Sequence, residues 1–207
     1  MGYPNLPHNW QAPRLSGRHV TLEPLGLEHI EGLRTALEGD ELSRLWYTNV
    51  PKAADAETWV RTALDKQAQG IEAPFAVRDA GGAVVGSTRF YDLDAGVPKL
   101  SIGYTWYAPR VQRSGLNTEA KLLLLGHAFE TLGCIGVFME TSWFNHASRT
   151  AIARLGAKQD GILRNHRRHA DGTPRDTVVF SIAGNEWPAV KSNLIHRLER
   201  GDRLNGQ

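Results

Sequence analysis

The sequence of 207 residues contains one cysteine and has no apolar run near the length of a membrane span. A single cysteine excludes an internal disulfide framework. Because Leu132 and Ile135 flank it, we expect Cys134 to be a small buried hydrophobic residue and not a nucleophile. A transmembrane helix needs about 18 consecutive apolar residues, and the first residues lack the pattern of a signal peptide. We therefore expect a cytoplasmic protein that has no membrane partner.

Charge of one sign is also lacking. Lysine and arginine number 24 and aspartate and glutamate 22, which leaves a formal net charge of +2. This balance argues against a nucleic-acid partner. The densest basic run is Arg164–His169, beside the turn signal at Asp171-Gly172. We interpret it as a solvated hairpin tip, and an RNA-binding surface built on it is the weaker alternative.

Several phosphate-binding and metal-binding patterns are absent. The sequence contains no Gly-Lys-Ser/Thr and no Gly-x-Gly-x-x-Gly, which argues against a nucleotide-hydrolysing phosphate loop and a dinucleotide-binding fold. No cluster of histidine, cysteine and carboxylate residues has the spacing of a zinc site. We therefore expect no metal cofactor.

The composition, 41% hydrophobic and 22% charged, is typical of a globular domain. The chain shows no internal repeat and no long linker. We predict one domain over residues 1–207, with an N-terminal extension at 1–16 and a C-terminal helix and tail at 185–207.

The periodicity of apolar residues predicts the α+β class, with a single mixed, mostly antiparallel sheet of about seven strands flanked by helices. The predicted strands are Arg18–Glu23, Phe75–Arg78, Ala83–Tyr91, Leu100–Trp106, Val137–Glu140, Gly161–His166 and Thr177–Ile182. The predicted helices are Leu27–Leu37, Ala54–Gln69, Thr118–Leu132, Asn145–Leu155 and one that contains Trp187, Val190, Leu194 and Leu198. A strand, helix, strand unit in the middle of the chain favours a parallel or splayed central pair.

The most informative segment is the loop Gln112–Asn117, between a strand that ends before Pro109 and the predicted third helix. Backbone N–H groups at a helix N-terminus lack intrahelical partners and bind anions. Gly115 allows a phosphate to approach the backbone closely, and Arg110 and Arg113 add positive charge. This combination suits a pyrophosphate.

The run Ile102–Leu163 resembles the acetyl-CoA-binding core of the GNAT superfamily, in particular the RimJ/RimL-like branch of ribosomal-protein alanine acetyltransferases. The pyrophosphate signature of that superfamily is Gln or Arg, two residues, Gly, one residue, then Gly or Ala. Gln112, Gly115 and Asn117 stand at these positions. Asn117 departs from the usual small residue, and Arg113 replaces a glycine that relatives often have, but the phosphate donors are main-chain groups.

Two further segments carry the resemblance. Thr118-Glu119-Ala120 matches the start of the helix that follows the loop, and residues 145–149 match the Asn-x-x-Ser segment of the branch. The resemblance implies the GNAT fold, acetyl-CoA as co-substrate and a central splay that exposes backbone groups to the pantetheine arm. The implied cofactor-binding residues are Thr105, Trp106, Tyr107, Gln112, Arg113, Ser114, Gly115, Leu116, Asn117, Thr118 and Asn145.

Direct acetyl transfer requires a neutral amine, a donor to the developing oxyanion and a proton for the leaving thiolate. The resemblance points to Ser148 for the leaving group and to Asn145 as a hydrogen-bond partner of the pantetheine arm. Helical spacing places Ser148 on the apolar stripe of Ile152 and Leu155, so it faces inward. The simpler interpretations are a local backbone hydrogen bond for Ser148 and an N-cap role for Asn145.

A serine hydroxyl alone is a poor match for a thiol with a pKa of about 8.5. Tyr104 is therefore a second candidate acid, with Tyr107 in reserve, although aromatic residues in strands are more often part of the core. Some relatives carry a glutamate before the Ile-Gly-Tyr of this strand, where this chain has Ser101. Glu140, or Asp92, remains as a base acting through water, and both could equally be solvated charges at strand ends.

We expect the acceptor amine between the N-terminal helices and the last hairpin, where Trp46, Arg89 and Tyr91 are the candidate substrate residues. A peptide N-terminus and a small-molecule amine both remain open. The C-terminal helix with Trp187 could support a homodimer. The alternative function is a non-catalytic acetyl-CoA-binding or regulatory protein with the same fold.

Overall fold

The computed structural model describes residues 11–39 and 42–205, without the side chains of 202–205, so the first ten residues of the predicted extension lie outside it. Its strands are β1 (Leu15–Ser16), β2 (Val20–Pro24), β3 (Glu72–Asp79), β4 (Val84–Asp94), β5 (Lys99–Tyr107), β6 (Gly136–Ser142), β7 (Lys158–Arg168) and β8 (Pro174–Ala183). Its α-helices are α1 (Ile30–Ala36), α2 (Ala56–Ala68), α3 (Leu116–Gly126), α4 (His146–Leu155) and α5 (Trp187–Asn205).

The strands form one sheet in the order β1-β2-β3-β4-β5-β6-β8-β7. Every neighbouring pair is antiparallel except β5 and β6, so the predicted α+β class with a mixed, mostly antiparallel sheet is confirmed. The described residues form eight strands and not about seven. The additional strand, Leu15–Ser16, is too short to show an alternation of apolar residues in the sequence.

The parallel pair β5 and β6 provides the central splay. Their register contains three pairs and ends at Ser101 and Phe138. Beyond that point β5 stays paired with β4 as far as Tyr107, while β6 stays paired with β8 as far as Ser142. The predicted splay is therefore present, and it opens towards the C-terminal ends of both strands.

The helices cover both faces of the sheet. In β4, Arg89 lies against Trp59 of α2, whereas its neighbour Phe90 stacks on His127 at the end of α3. Because adjacent residues of a strand point to opposite faces, α2 and α3 lie on opposite sides. The buried core includes Cys134, as expected, and burial raises the pKa of its thiol to about 11.

The ends of α4 lie where the sequence predicts them, whereas those of α3 do not. Asn145 caps α4 by accepting the Ser148 N–H at 3.0 Å, and Gly156 ends it in a left-handed conformation with φ 106°. Helix α3 begins two residues before the predicted Thr118 and ends at Gly126, where a π-helical turn follows. Among the described residues, no helix has both the length and the apolar content needed to cross a membrane.

Candidate active site

The loop before α3 presents open backbone donors. The Ser114 hydroxyl donates to the Val111 carbonyl at 2.7 Å and accepts the Leu116 N–H at 3.3 Å, which fixes the turn. Arg113 adopts a left-handed conformation with φ 62°. The N–H groups of residues 113–115 have no acceptor within the part of the chain that the structure describes. These donors sit at the helix N-terminus, where the helix dipole favours an anion.

A segment that is distant in sequence borders this loop. The Glu119 carboxylate accepts the N–H groups of Arg18, His19 and Val20 at 2.9, 2.5 and 3.0 Å, which fixes the turn before β2 against the first turn of α3. A Cβ on Gly115 would lie 3.3 Å from the His19 ring. The Arg18 guanidinium lies 3.0 Å from Nε2 of that ring.

These contacts change which side chains border the loop. Arg110 donates to Asp79 at 2.8 Å, so one of the two arginines expected there is held in an ion pair at the C-terminal end of β3. Arg18 and His19 are near the loop instead. The sequence does not predict this contact, because no local pattern links residues that are 101 positions apart. In the sequence, Glu119 is one polar residue of a predicted helix, and nothing near it indicates a buried contact with the turn before β2.

A β-bulge lies in β5 at the beginning of the splay. Ser87 pairs with Trp106 and Arg89 pairs with Gly103, so β5 contains one residue more than β4 in this interval. Tyr104 occupies the bulge with φ 52°. A bulge redirects side chains and leaves backbone groups without ladder partners.

The predicted cofactor residues of β5 direct their side chains elsewhere. The Thr105 hydroxyl lies 2.9 Å from the Lys121 ammonium of α3, and the Trp106 ring lies 6.1 Å from that of Trp59. Tyr107 accepts a hydrogen bond from Gln112 at its carbonyl oxygen, and burial raises the pKa of its phenol. Only the main chain of these three residues can therefore face a ligand in the splay.

Helix α4 brings the remaining predicted cofactor residue to the splay. Asn145 uses its side-chain oxygen as the N-cap, so its amide N–H₂ is the part that can bind a ligand. Ser148 is partly buried, and its hydroxyl makes no hydrogen bond within the described chain. The N-cap interpretation of Asn145 is confirmed, and a contact between its amide N–H₂ and the cofactor stays a prediction.

A cavity of about 380 Å³ lies on the α2 face beside the bulge. The buried Arg89 guanidinium stacks between the rings of Trp59 and Tyr104, at 4.3 and 4.5 Å from their centres. It donates to Glu72 at 2.5 Å, and Glu72 also accepts from Lys66 at 2.9 Å. The cavity is lined by Asn49, Pro51, Asp55, Thr58, Trp59, Thr62, Lys66, Arg89 and Tyr104.

Further candidate residues adjoin this cluster. The Tyr91 ring lies 5.4 Å from the Tyr104 ring. Burial, with the negative charges of Glu140 and Asp92, raises the pKa of Tyr91. Glu140 accepts a hydrogen bond from Arg167 at 3.1 Å. The structure thus brings together Arg89, Tyr91, Tyr104 and Glu140.

Trp46 lies outside this group. Its ring packs 5.2 Å from Phe144 and 4.7 Å from His169, so it joins the loop before α2 to the end of β6 and the β7–β8 turn. Trp46 and Phe144 are both about half exposed. We call Trp46, Phe144 and His169 the outer wall, because none of them lines the cavity beside Arg89.

The chain is similar in sequence and in structure to known acetyltransferases. The family model described as Acetyltransferase (GNAT) domain matches residues 19–158. A GCN5-related N-acetyltransferase from Brucella melitensis is 31% identical, with a TM-score of 0.83 over 92% of this chain and 87% of that chain. A candidate acetyltransferase from T. thermophilus is 34% identical, with a TM-score of 0.80 over 91% of this chain and 99% of that chain.

More distant similarity concerns the fold alone. Mycobacterium smegmatis RimJ, solved in complex with CoA-disulfide, is 20% identical, with a TM-score of 0.73 over 86% of this chain and 88% of that chain. It has the same fold as this chain. A search of curated proteins gave no match.

Proposed function

The chain belongs to the GNAT acetyltransferase family, and we propose that it transfers the acetyl group of acetyl-CoA to a primary amine by direct attack in a ternary complex. The observation that carries this proposal is the position of the open N–H groups of residues 113–115, which follow the splayed end of β5 after one short turn, Pro109–Val111. A pyrophosphate at these donors would let the pantetheine arm enter the splay. The thioester would then lie near the bulge at Tyr104.

The residues around the loop fit such a ligand. The unpaired N–H groups and the side chain of Arg113 would bind the pyrophosphate, with Gly115, Leu116, Asn117 and Thr118 forming the first turn beneath it. The remaining proposed contacts are the main chain of Thr105, Trp106 and Tyr107, the loop residues Gln112 and Ser114, and the Asn145 amide. No metal ion is required in this scheme.

The transfer step needs an acid for the departing CoA sulfur. We assign this role to Ser148 or Tyr104, since the Ser148 hydroxyl has no hydrogen bond within the described chain and Tyr104 lies in the bulge. The phenol, with a reference pKa of about 10, is the better match for a thiol of about 8.5. Backbone N–H groups of the bulge are suited to stabilise the oxyanion of the tetrahedral intermediate.

The acceptor would enter from the α2 face. Arg89 and Tyr91 bound the inner part of this side, and Trp46 belongs to the outer wall. We propose Glu140 as the base, acting through water, because it lies on β6 beyond the last β5–β6 pair and interacts with the charge on Arg167. A carboxylate at this position could accept a proton from the acceptor ammonium through one water molecule.

Free thiol release from acetyl-CoA, measured with a panel of amines that includes Ala- and Ser-initiated peptides, tests the proposal. We expect turnover by the wild-type protein and about a 10-fold or larger fall in kcat for Asn145→Ala and Ser148→Ala. Ser192→Ala, at an exposed serine of α5, is the matched control and should keep wild-type activity. The buried Cys134 should add little background to a thiol assay.

Other outcomes separate the alternatives. Cofactor binding without turnover on any amine would favour the regulatory alternative. Turnover that is unchanged in both variants would remove Asn145 and Ser148 from the mechanism but leave the transferase intact. Failure to bind acetyl-CoA would contradict the proposed function itself.

Arg18 provides a separate test of the phosphate site. Because its guanidinium contacts the His19 ring beside Gly115, we expect Arg18→Ala to weaken CoA binding about 10-fold at low salt, as the loss of one charge-assisted hydrogen bond would. Isothermal titration with CoA and with 3′-dephospho-CoA would show which phosphate is involved. Arg14→Ala is the control, since Arg14 pairs with Glu23. Equal affinities for all three proteins would contradict the assignment.

A further inference from the structure

Lys121 of α3 is a buried cation that the proposed mechanism does not use. The residue is 6% exposed and lies among core side chains. Its ammonium donates to the Thr105 hydroxyl at 2.9 Å. Among the residues whose side chains are described, no carboxylate forms an ion pair with it. A buried ammonium without a counter-charge is costly, so packing alone does not account for a lysine here.

The contacts of Lys121 lead directly to the bulge of β5. The Thr105 and Thr88 hydroxyls lie 2.8 Å apart, and the Thr88 hydroxyl can donate to the Gly103 carbonyl at 3.4 Å. The hydrogen bonds can therefore run in one direction, from Lys121 through Thr105 and Thr88 to Gly103. Gly103 and Thr105 are the two neighbours of Tyr104. These hydrogen bonds therefore fix the residues on both sides of Tyr104, which has the left-handed conformation.

The bulge lies where the thioester is proposed to bind, so these hydrogen bonds affect the reaction site. Tyr104 and Thr105 follow the last pair of β5 with β6, where backbone groups of β5 have no ladder partner on the β6 side. These are the groups that would face the thioester. Donors aimed at a developing oxyanion must be held in place before the reaction, and a misplacement of about 1 Å can cost about 100-fold in rate.

We propose that Lys121 is a positioning residue for acetyl transfer, and that it acts by holding the β5 bulge through Thr105 and Thr88. The inference rests on the proposed function. It assigns no contact between Lys121 and the substrates. A lysine with a purely structural role would stabilise the fold, whereas this lysine lowers stability and supports the rate.

Lys121→Met tests the proposal because methionine keeps the apolar stem and removes the charged donor. We expect kcat to fall about 10-fold to 100-fold, the KM for acetyl-CoA to stay within about two-fold, and the Tm to rise. Lys191→Met is the matched control, since this lysine is partly exposed on α5, where it pairs with Glu130, and both kcat and KM should be unchanged.

Thr105→Val keeps the proposal testable if Lys121→Met does not fold. This variant removes the hydroxyl that joins Lys121 to Thr88, so it should also lower kcat. The kcat of the double variant should be little lower than that of either single variant. Wild-type kcat in Lys121→Met, whatever its Tm, or wild-type kcat in Thr105→Val, would overturn the role of Lys121 alone. No turnover by the wild-type protein would overturn the proposed function and this inference with it.

Discussion

Replacing Glu72 with alanine is expected to lower the free energy of unfolding by about 3 to 5 kcal/mol. Glu72 and Arg89 form an ion pair at 2.5 Å in which each side chain is 3% exposed. Lys66 adds a second bond to the same carboxylate. Removal of Glu72 would leave the Arg89 guanidinium buried between two aromatic rings without a counter-charge. Urea unfolding at pH 7, followed by far-UV circular dichroism, measures the loss.

The Glu72 prediction has two internal comparisons. Glu57→Ala removes a carboxylate that pairs with Arg61 on the exposed side of α2, and it should change stability by less than about 0.5 kcal/mol. Replacing both Glu72 and Arg89 with methionine should recover most of the loss, because no charge is then left unpaired. If Glu72→Ala is within about 1 kcal/mol of the wild-type protein, the pair does not stabilise the fold as proposed.

The same ion pair shows why some boundaries could not be predicted. Strand β3 was expected from Phe75, but it begins at Glu72. A glutamate at the start of an apolar run indicates a solvated end, unless a buried arginine from the neighbouring strand faces it. Strand β7 extends past its predicted ends for a different reason. Nearly all of its residues are exposed, so no alternation marks its length.

Elements with one apolar face were predictable, since the periodicity of buried residues is a local property. Helix α4, with Asn145 at its N-cap and Gly156 at its end, follows the sequence pattern closely. The predicted splay also follows from local sequence, because a helix connects the two strands that diverge. Gln112 and Gly115 mark the candidate cofactor loop in the sequence, although its contacts with Arg18 and His19 required the tertiary structure.

Lys121 is the clearest case of information that the sequence does not contain. In a helical pattern, a lysine beside a run of leucines is expected on the solvated face. The structure places it beneath α3 instead, against Thr105 of the sheet. Burial lowers the pKa of its ammonium from 10.5 to about 7. The local order of residues gives no sign of this shift.

This pKa predicts how stability depends on pH. Between about pH 7 and pH 10.5 the unfolded chain holds the Lys121 proton more tightly than the folded protein, so stability rises with pH in that window, by about 1.4 kcal/mol per unit at most. Below pH 7 both states are protonated, and the full cost of burying the charge remains. The raised pKa values of Cys134, Tyr91 and Tyr107 act in the opposite direction above about pH 9.

Comparison with Lys121→Met isolates the contribution of the lysine, because the cysteine and the tyrosines are common to both proteins. We expect the variant to be more stable than the wild-type protein at pH 7 by about 3 kcal/mol, after allowance for the hydrogen bond lost to Thr105. This difference should shrink to below about 1 kcal/mol by pH 10, because the pH is then close to the pKa of 10.5 that the lysine has in the unfolded chain, while the folded-state lysine is already neutral. Urea unfolding at each pH measures it, and Lys191→Met should show no such trend. A difference that stays constant from pH 7 to pH 10 would mean that Lys121 keeps an ordinary pKa, and that a counter-charge or water reaches it in the folded protein.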